Sequence, residues 1–113
     1  HSESQAAHIW LVHTTLPSEA QAQQVAQALV NVGLAACVQV SAVHSSYRWQ
    51  GKVCSEPEWQ LGIKTHASNW PALCDWLRQH HPHALPELIA LPLVAGDAAY
   101  LQWVADNSQR PAS

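Results

Sequence analysis

The order of secondary-structure signals in this sequence predicts an α+β fold, a ferredoxin-like βαββαβ sandwich with a short helix added near its C-terminal end. Three observations carry the prediction. Strand-type and amphipathic helical segments follow one another in the order β-α-β-β-α-β. Only a Gly-containing turn separates the second and third strand segments. Right-handed crossovers then place two helices on one face of an antiparallel sheet.

The first strand and helix have clear signals at their ends. Residues 9–12 form a short apolar run that is typical of a buried strand. Pro17 fits the first helical position, where no N–H is needed, and Glu19 fits the positive end of the helix dipole. Gly33 is predicted to end the helix, because glycine tolerates the left-handed backbone of a C-terminal cap.

A hairpin is predicted next. Apolar and polar residues alternate over residues 36–44, so a second strand begins there and continues towards Trp49. Gly51 can supply the positive φ of a tight turn, and alternation over residues 59–64 predicts the returning strand. Pro57 cannot donate to a neighbouring strand, so it marks an edge, a bulge or a late strand start.

The remaining elements complete the fold. Ser68 or Asn69 can cap a second helix, which Pro82 is expected to stop. Residues 88–94 form another strand-type segment, and Asp97 is placed to cap a short helix.

The chain of 113 residues has the size of one domain. We predict a disordered N-terminal segment at residues 1–7, a single domain at 8–107 and a tail at 108–113. The predicted sheet carries apolar residues on both faces, so a partner subunit is expected to cover the face that the helices leave free. A homo-oligomer is therefore expected.

Composition excludes several function classes. The net charge is −3, and the five Lys and Arg residues are scattered, which argues against nucleic-acid binding. No apolar run approaches the roughly 20 residues of a membrane span. Three cysteines without CxxC spacing indicate free thiols and a reducing, cytoplasmic compartment. Neither GxSxG, HExxH nor a phosphate-binding glycine loop occurs, so no enzymatic activity is predicted.

The segment His80-His81-Pro82-His83 is the main candidate for chemistry. Imidazole is a good ligand for Cu(II) and other divalent first-row ions. Adjacent helical residues point about 100° apart, so His80 and His81 cannot chelate one ion together without local unwinding. A second interpretation stays open, in which cationic histidines simply favour the negative end of the helix dipole.

Five short motifs occur in one order along the chain, and together they resemble the CutA family of divalent-cation tolerance proteins over residues 10–103. The motifs are Leu34-Ala35-Ala36-Cys37, Tyr47-x-Trp49-x-Gly51-Lys52, Ile63-Lys64-Thr65, His81-Pro82 with Pro86-Glu87, and Gly96-Asp97 with Tyr100-Leu101-x-Trp103.

The resemblance implies a tight homotrimer, built by long hairpin strands that pair across subunits, and a link to copper or another divalent cation without an organic cofactor. It implies a weak metal contact through His80 and His81, with help from His83 and Glu87. Some members of the family place a Cys ligand where this sequence has Thr14, so no thiolate assists binding here.

Two further features depart from the family or stay open. An aromatic-acidic pair that often follows His-Pro in the family is His83-Ala84 here, so a carboxylate is missing. Three roles stay open for Glu87: a metal ligand, an ion-pair partner of Lys64 or Arg48, or a surface carboxylate without a specific partner.

Two interpretations stay open for the aromatic set of Tyr47, Trp49 and Trp103. These side chains are expected either to line a cleft between subunits or to pack in the core. Two other functions are compatible with the same fold. One is a small-molecule-sensing trimer similar to PII-like signalling proteins, and the other is a structural or anchoring trimer without a ligand.

Overall fold

The computed structural model describes residues 2–83 and 85–109. Its elements are α1 (Ser2–Ala7), β1 (Ile9–Leu16), α2 (Glu19–Asn31), β2 (Cys37–Trp49), β3 (Lys52–His66), a single 3₁₀ turn (Ala67–Asn69), α3 (Trp70–His80), β4 (Ile89–Pro92) and α4 (Ala98–Asn107). In these described ranges no helix is long and apolar enough to cross a membrane.

The four strands form one antiparallel sheet in the order β2-β3-β1-β4. This is the strand order of a ferredoxin-like sandwich, so the predicted fold class is confirmed. Residues of α2 and α3 share one apolar core with β1 and β3, which puts both helices on the same face of the sheet. That core contains Val12, Leu16, Ala22, Leu29, Leu61, Ile63, Leu73 and Leu77. Each of its fully buried leucines contributes about 1.5–3 kcal/mol of burial free energy.

The opposite face of the sheet, here called the far face, is covered only at one end. Along β1, the Ile9 side chain points to the face opposite that of Val12. On this far face it packs against Leu101 and Val104 of α4. Beyond that small cluster, β4 leaves Ile89 and Leu91 exposed. The prediction of apolar residues on both faces is therefore confirmed within the described subunit.

The first long helix begins at Glu19, two residues later than the proline signal suggests. Ser18 is its N-cap, with extended backbone, and its side chain accepts from the backbone N–H of Gln21 at 3.2 Å. Pro17 therefore precedes the cap, and its predicted place at the first helical position is wrong, because a hydroxyl satisfies the free N–H groups better than a ring that only fixes φ. Gly33 has φ of +79° after the last turn, as predicted.

The hairpin turn is made by Gln50 and Gly51, which have φ of +51° and +80°. Two positive φ values define the type I′ turn, whose twist matches that of paired strands. The returning strand begins at Lys52, earlier than residue 59, because β2 pairs with it along its whole length. β1 joins β3 only from Trp59, so Pro57 lies where β3 has a neighbour on one side, and the edge interpretation is correct.

The C-terminal half follows the predicted order. Asn69 precedes α3, which ends at His80 before Pro82. The last strand is shorter than residues 88–94 and spans Ile89–Pro92. Asp97 caps α4 by accepting from the Tyr100 N–H at 3.0 Å.

Both ends of the described chain make contacts with or near α4. Residues 2–7 form α1, in which Ala6 is fully buried against α4 and Gln5 donates to Gln102 at 2.8 Å. The Ser108 hydroxyl donates to the Val104 carbonyl at 2.6 Å and accepts from the His66 N–H. The rest of the predicted tail, residues 110–113, lies outside the described residues.

Candidate functional site

A cleft of about 740 Å³ lies between the outer end of the β2–β3 hairpin and the loop that follows α3. Its walls combine aromatic rings, carboxylates and the histidine segment. The lining residues are Thr15, Ser45, Ser46, Tyr47, Trp49, Glu56, Glu58, Pro82, His83, Leu85 and Glu87. Lysine and arginine are absent from this lining among the described residues, so the cleft is acidic.

The hairpin register brings three of these side chains to one face. Tyr47 pairs with Cys54, Ser45 with Glu56, and Val43 with Glu58, so Tyr47, Glu56 and Glu58 project from the same side of the two strands. Sequence reasoning did not single out either glutamate. A tight turn at Gly51 already fixes this register, and extending the alternation across the turn identifies both.

Tyr47 and Glu56 are joined by a hydrogen bond from the phenol to the carboxylate. This bond, with smaller contributions from desolvation and from neighbouring negative charges, raises the pKa of Tyr47 to about 12. Glu56 therefore has a fixed orientation at the cleft wall, and Tyr47 stays protonated at all physiological pH values.

His80 lies apart from this cleft. Its Nδ1 donates to the Trp76 carbonyl oxygen at 2.7 Å, and its ring stacks on the Trp76 indole with centroids 3.9 Å apart. It is not among the residues that line the cleft. The expected partnership of His80 and His81 is thus not formed, for the reason of helical geometry given above.

His81 is half-buried between β1 and the loop. Its Nε2 lies 2.7 Å from the Thr15 carbonyl oxygen, and its Nδ1 lies 3.1 Å from the backbone nitrogen of His83. Burial lowers the pKa of His81, the nearby His83 lowers it further, and the bond to Thr15 acts in the opposite direction. The neutral imidazole is therefore the favoured form.

His83 and Glu87 are exposed and line the same cleft. The His81 and His83 rings are neighbours, with centroids 5.3 Å apart. Within residues 2–83 and 85–109 the one ion pair joins Arg78 to Asp75, so Glu87 does not pair with a basic residue in the subunit. The two proposed salt-bridge partners are placed elsewhere; for example, Lys64 donates to the Tyr100 hydroxyl at 3.1 Å.

The predicted aromatic set divides in two. Tyr47 and Trp49 line the cleft, whereas Trp103 stacks with Tyr100 on α4, with ring centroids 5.7 Å apart. Thr14, which stands where some CutA family members are expected to have a Cys ligand, is fully buried on the helix-covered face of β1. Its hydroxyl has no hydrogen-bond partner among the described residues.

The known proteins that this chain resembles agree with the fold and with the order of the five sequence motifs. The model of the CutA1 divalent ion tolerance protein family matches residues 10–107, which is most of the chain. The chain belongs to the CutA family. A divalent-cation tolerance protein CutA of Thermus thermophilus is 41% identical over 99 residues, covering 87% of this chain and 96% of that protein.

Other CutA proteins show the same similarity. The structure of CutA from Synechococcus elongatus PCC7942 superposes with a TM-score of 0.88 at 43% identity, covering 91% of this chain and 92% of that one. Human protein CutA is 44% identical over 91 residues, which are 80% of this chain. The match covers 51% of the human protein, so this chain spans about half its length.

The names of the CutA relatives refer to divalent cations. We therefore asked whether the His, Cys, Asp and Glu side chains of this chain lie close enough together to bind one. No three His, Cys, Asp or Glu side chains of the described part of the chain come close enough together to hold a metal ion. A closed, tightly binding site therefore does not fit these residues. The chemistry of the cleft is compatible with an open contact only, since His83 and Glu87 place one nitrogen and one oxygen donor on its walls.

Proposed function

We propose that this CutA protein acts in divalent-cation tolerance, with Cu(II) as the foremost cation, by weak contact in the acidic cleft and without catalysis. The observation that supports it is the convergence of His83 and Glu87 with Glu56 and Glu58 on one cleft. Three carboxylates and no lysine or arginine at the described walls attract a cation, and imidazole favours Cu(II) among the divalent ions. Among the described residues no three such donors come close enough together to hold one ion, so the expected affinity is low.

Calorimetric titration of Cu(II) tests this site. The double variant His83→Gln, Glu87→Gln is expected to lose most of the binding heat, because both donors of the open contact are removed. Glu19→Gln serves as the matched control, since Glu19 is an exposed carboxylate at the start of α2, outside the cleft. Equal affinity of the wild type and the double variant would reject the site.

We further propose that the protein is a homotrimer. Two features of the subunit support this assembly. The outer part of the hairpin extends past β1, which pairs with β3 only from Trp59, and so it projects from the body of the sheet. On the far face, Ile89 and Leu91 of the edge strand β4 are 50% and 45% exposed. An apolar edge of this kind is typical of an interface with another chain.

Light scattering coupled to size exclusion tests the assembly. A trimer of the 12.4 kDa chain has a mass of about 37 kDa. Leu91→Glu is expected to shift the mass towards the single chain, because it places a charge in the apolar edge. Val30→Glu is the matched control, since Val30 is 43% exposed but lies on α2, on the other side of the sheet. A wild-type mass near 12 kDa would refute the proposal.

Small-molecule sensing is the second candidate function, and the size of the cleft favours it. A volume of about 740 Å³ far exceeds that of one metal ion and lies in the range of small-molecule sites. The acidic lining disfavours nucleotides, whose phosphates need basic partners. Thermal unfolding in the presence of nucleotides and small organic cations distinguishes them: a saturable stabilisation by a nucleotide would contradict this electrostatic argument.

A trimer that binds neither cations nor small molecules would instead support the structural or anchoring role. The cytoplasmic location stays a prediction; it rests on the free thiols of Cys37, Cys54 and Cys74. Cell fractionation with an antibody to the natural protein tests it.

A further inference from the structure

The His81 imidazole makes two hydrogen bonds, and together they occupy both of its ring nitrogens. Nε2 contacts the carbonyl oxygen of Thr15 at 2.7 Å, and Nδ1 contacts the backbone N–H of His83 at 3.1 Å. A carbonyl oxygen can only accept, and a backbone N–H can only donate. The proton must therefore be on Nε2, and the lone pair of Nδ1 must accept from His83.

This tautomer conflicts with metal ligation. An imidazole binds a metal through a nitrogen lone pair, and the one in-plane lone pair of the Nε2–H tautomer is on Nδ1. A metal at Nδ1 would displace the His83 N–H. A metal at Nε2 would require the proton to move to Nδ1, where it would face the His83 N–H, and the Thr15 carbonyl would lose its donor.

The two bonds also connect parts of the cleft that are distant in sequence. Thr15 is a buried residue near the end of β1, 66 residues before His81, and it lines the cleft. His83 lines the same cleft from the loop between α3 and β4. The imidazole therefore ties the start of this loop to the central sheet.

We infer that His81 is a positioning residue of the cleft wall and not a metal ligand. It holds the loop so that His83, and Glu87 further along it, face the hairpin carboxylates. This inference rests on the proposed function in one respect only: the cation that His83 and Glu87 bind is taken from it. The hydrogen-bond arrangement that carries it is independent of any metal.

The tautomer is measured directly by long-range ¹H–¹⁵N correlation spectra of the full chain labelled at histidine. We expect a protonated Nε2 and an unprotonated Nδ1 at His81. We also expect both nitrogen shifts of His81 to stay unchanged at saturating Zn(II), a diamagnetic probe, while those of His83 move. A proton on Nδ1, or a metal-induced shift at a His81 nitrogen, would overturn the inference.

Two substitutions separate positioning from ligation. His81→Ala removes both hydrogen bonds and is expected to weaken Zn(II) binding about fivefold or more. His81→Gln can still donate an amide N–H to the Thr15 carbonyl in place of the Nε2–H group, so binding should be weakened less than in His81→Ala. An amide is a poor substitute for imidazole as a zinc ligand. Equal weakening in both variants would therefore contradict positioning through the Thr15 bond.

Failure of the proposed cation contact is distinguishable from failure of this inference. If the wild type binds neither Cu(II) nor Zn(II), the cation contact at His83 and Glu87 is rejected, and the tautomer of His81 in the metal-free protein alone decides its positioning role. His83→Gln supplies the reference for a lost ligand, with an expected affinity loss of about tenfold.

Discussion

Replacement of Thr14 by valine should stabilise the protein. The Thr14 side chain is 0% exposed, lies on the helix-covered face of β1, and its hydroxyl has no hydrogen-bond partner in the described ranges. A buried polar group without a partner costs about 1–3 kcal/mol, because it loses its bonds to water and gains none in return. Valine keeps the branched shape and removes the hydroxyl. We expect the free energy of unfolding to rise by about 1–3 kcal/mol.

A second threonine provides a matched control. Thr65 is 1% exposed and lies on the same face of the adjacent strand, but its hydroxyl donates to the Leu34 carbonyl at 2.8 Å and accepts from the Asn69 amide at 3.1 Å. Thr65→Val leaves both of these groups without that partner. The same substitution should therefore lower the free energy of unfolding by about 1–3 kcal/mol.

Urea denaturation measures both effects. The variants and the wild type must be compared at one protomer concentration, because an oligomer's apparent stability depends on it. Opposite signs for Thr14→Val and Thr65→Val are the expected outcome. If Thr14→Val destabilises the protein as Thr65→Val does, the Thr14 hydroxyl has a partner and the reasoning is refuted.

Three further predictions use the same structure. Absorbance titration should show the Tyr47 phenol ionising near pH 12. Glu56→Gln should return the pKa of Tyr47 towards 10, because the hydrogen bond to the Glu56 carboxylate is the main cause of the shift. An unchanged Tyr47 pKa in this variant would contradict that cause. The fold lowers the pKa of His81 below its unfolded value of 6.5, mainly because the ring is partly buried. The stabilisation that the neutral ring gives is therefore complete above pH 6.5, and it is lost as the pH falls from 6.5 through the lowered pKa. Urea curves between pH 7.5 and 5 should show that loss, and His81→Gln should reduce it. Gly51→Ala should lower stability by about 1 kcal/mol in the same assay, because φ of +80° is strained for alanine; no loss would mean that the turn can relax.

Much of the fold could be predicted because its signals are local. The period-two alternation around Gly51 determines the hairpin, and Asp97 can cap α4 because its partner is only three residues away. Pro17 shows the limit of such signals. The proline predicted a helix beginning at residue 17, but the side chain of the next residue, Ser18, caps the helix, which begins at Glu19.

The site was less accessible to sequence reasoning, because its contacts are long-range. The histidine segment indicated metal chemistry, but the role of His81 depends on a carbonyl of β1 that no periodicity connects to it. Backbone carbonyls carry no sequence signature, since every residue has one. Glu56 and Glu58, in contrast, follow from the hairpin register and could have been placed beside Tyr47.

The outer half of β3 has a consequence for how this protein avoids unwanted association. Within the described residues of a single subunit, before any assembly, β3 has β2 on one side only there, and an open strand edge is a template for any other extended chain. Pro57 offers no N–H to an arriving strand, and Glu56 and Glu58 on either side of it repel acidic ones. The same glutamates that make the cleft acidic thus also protect this edge from aggregation. Variants that neutralise both carboxylates should be checked for solubility before their ligand binding is interpreted.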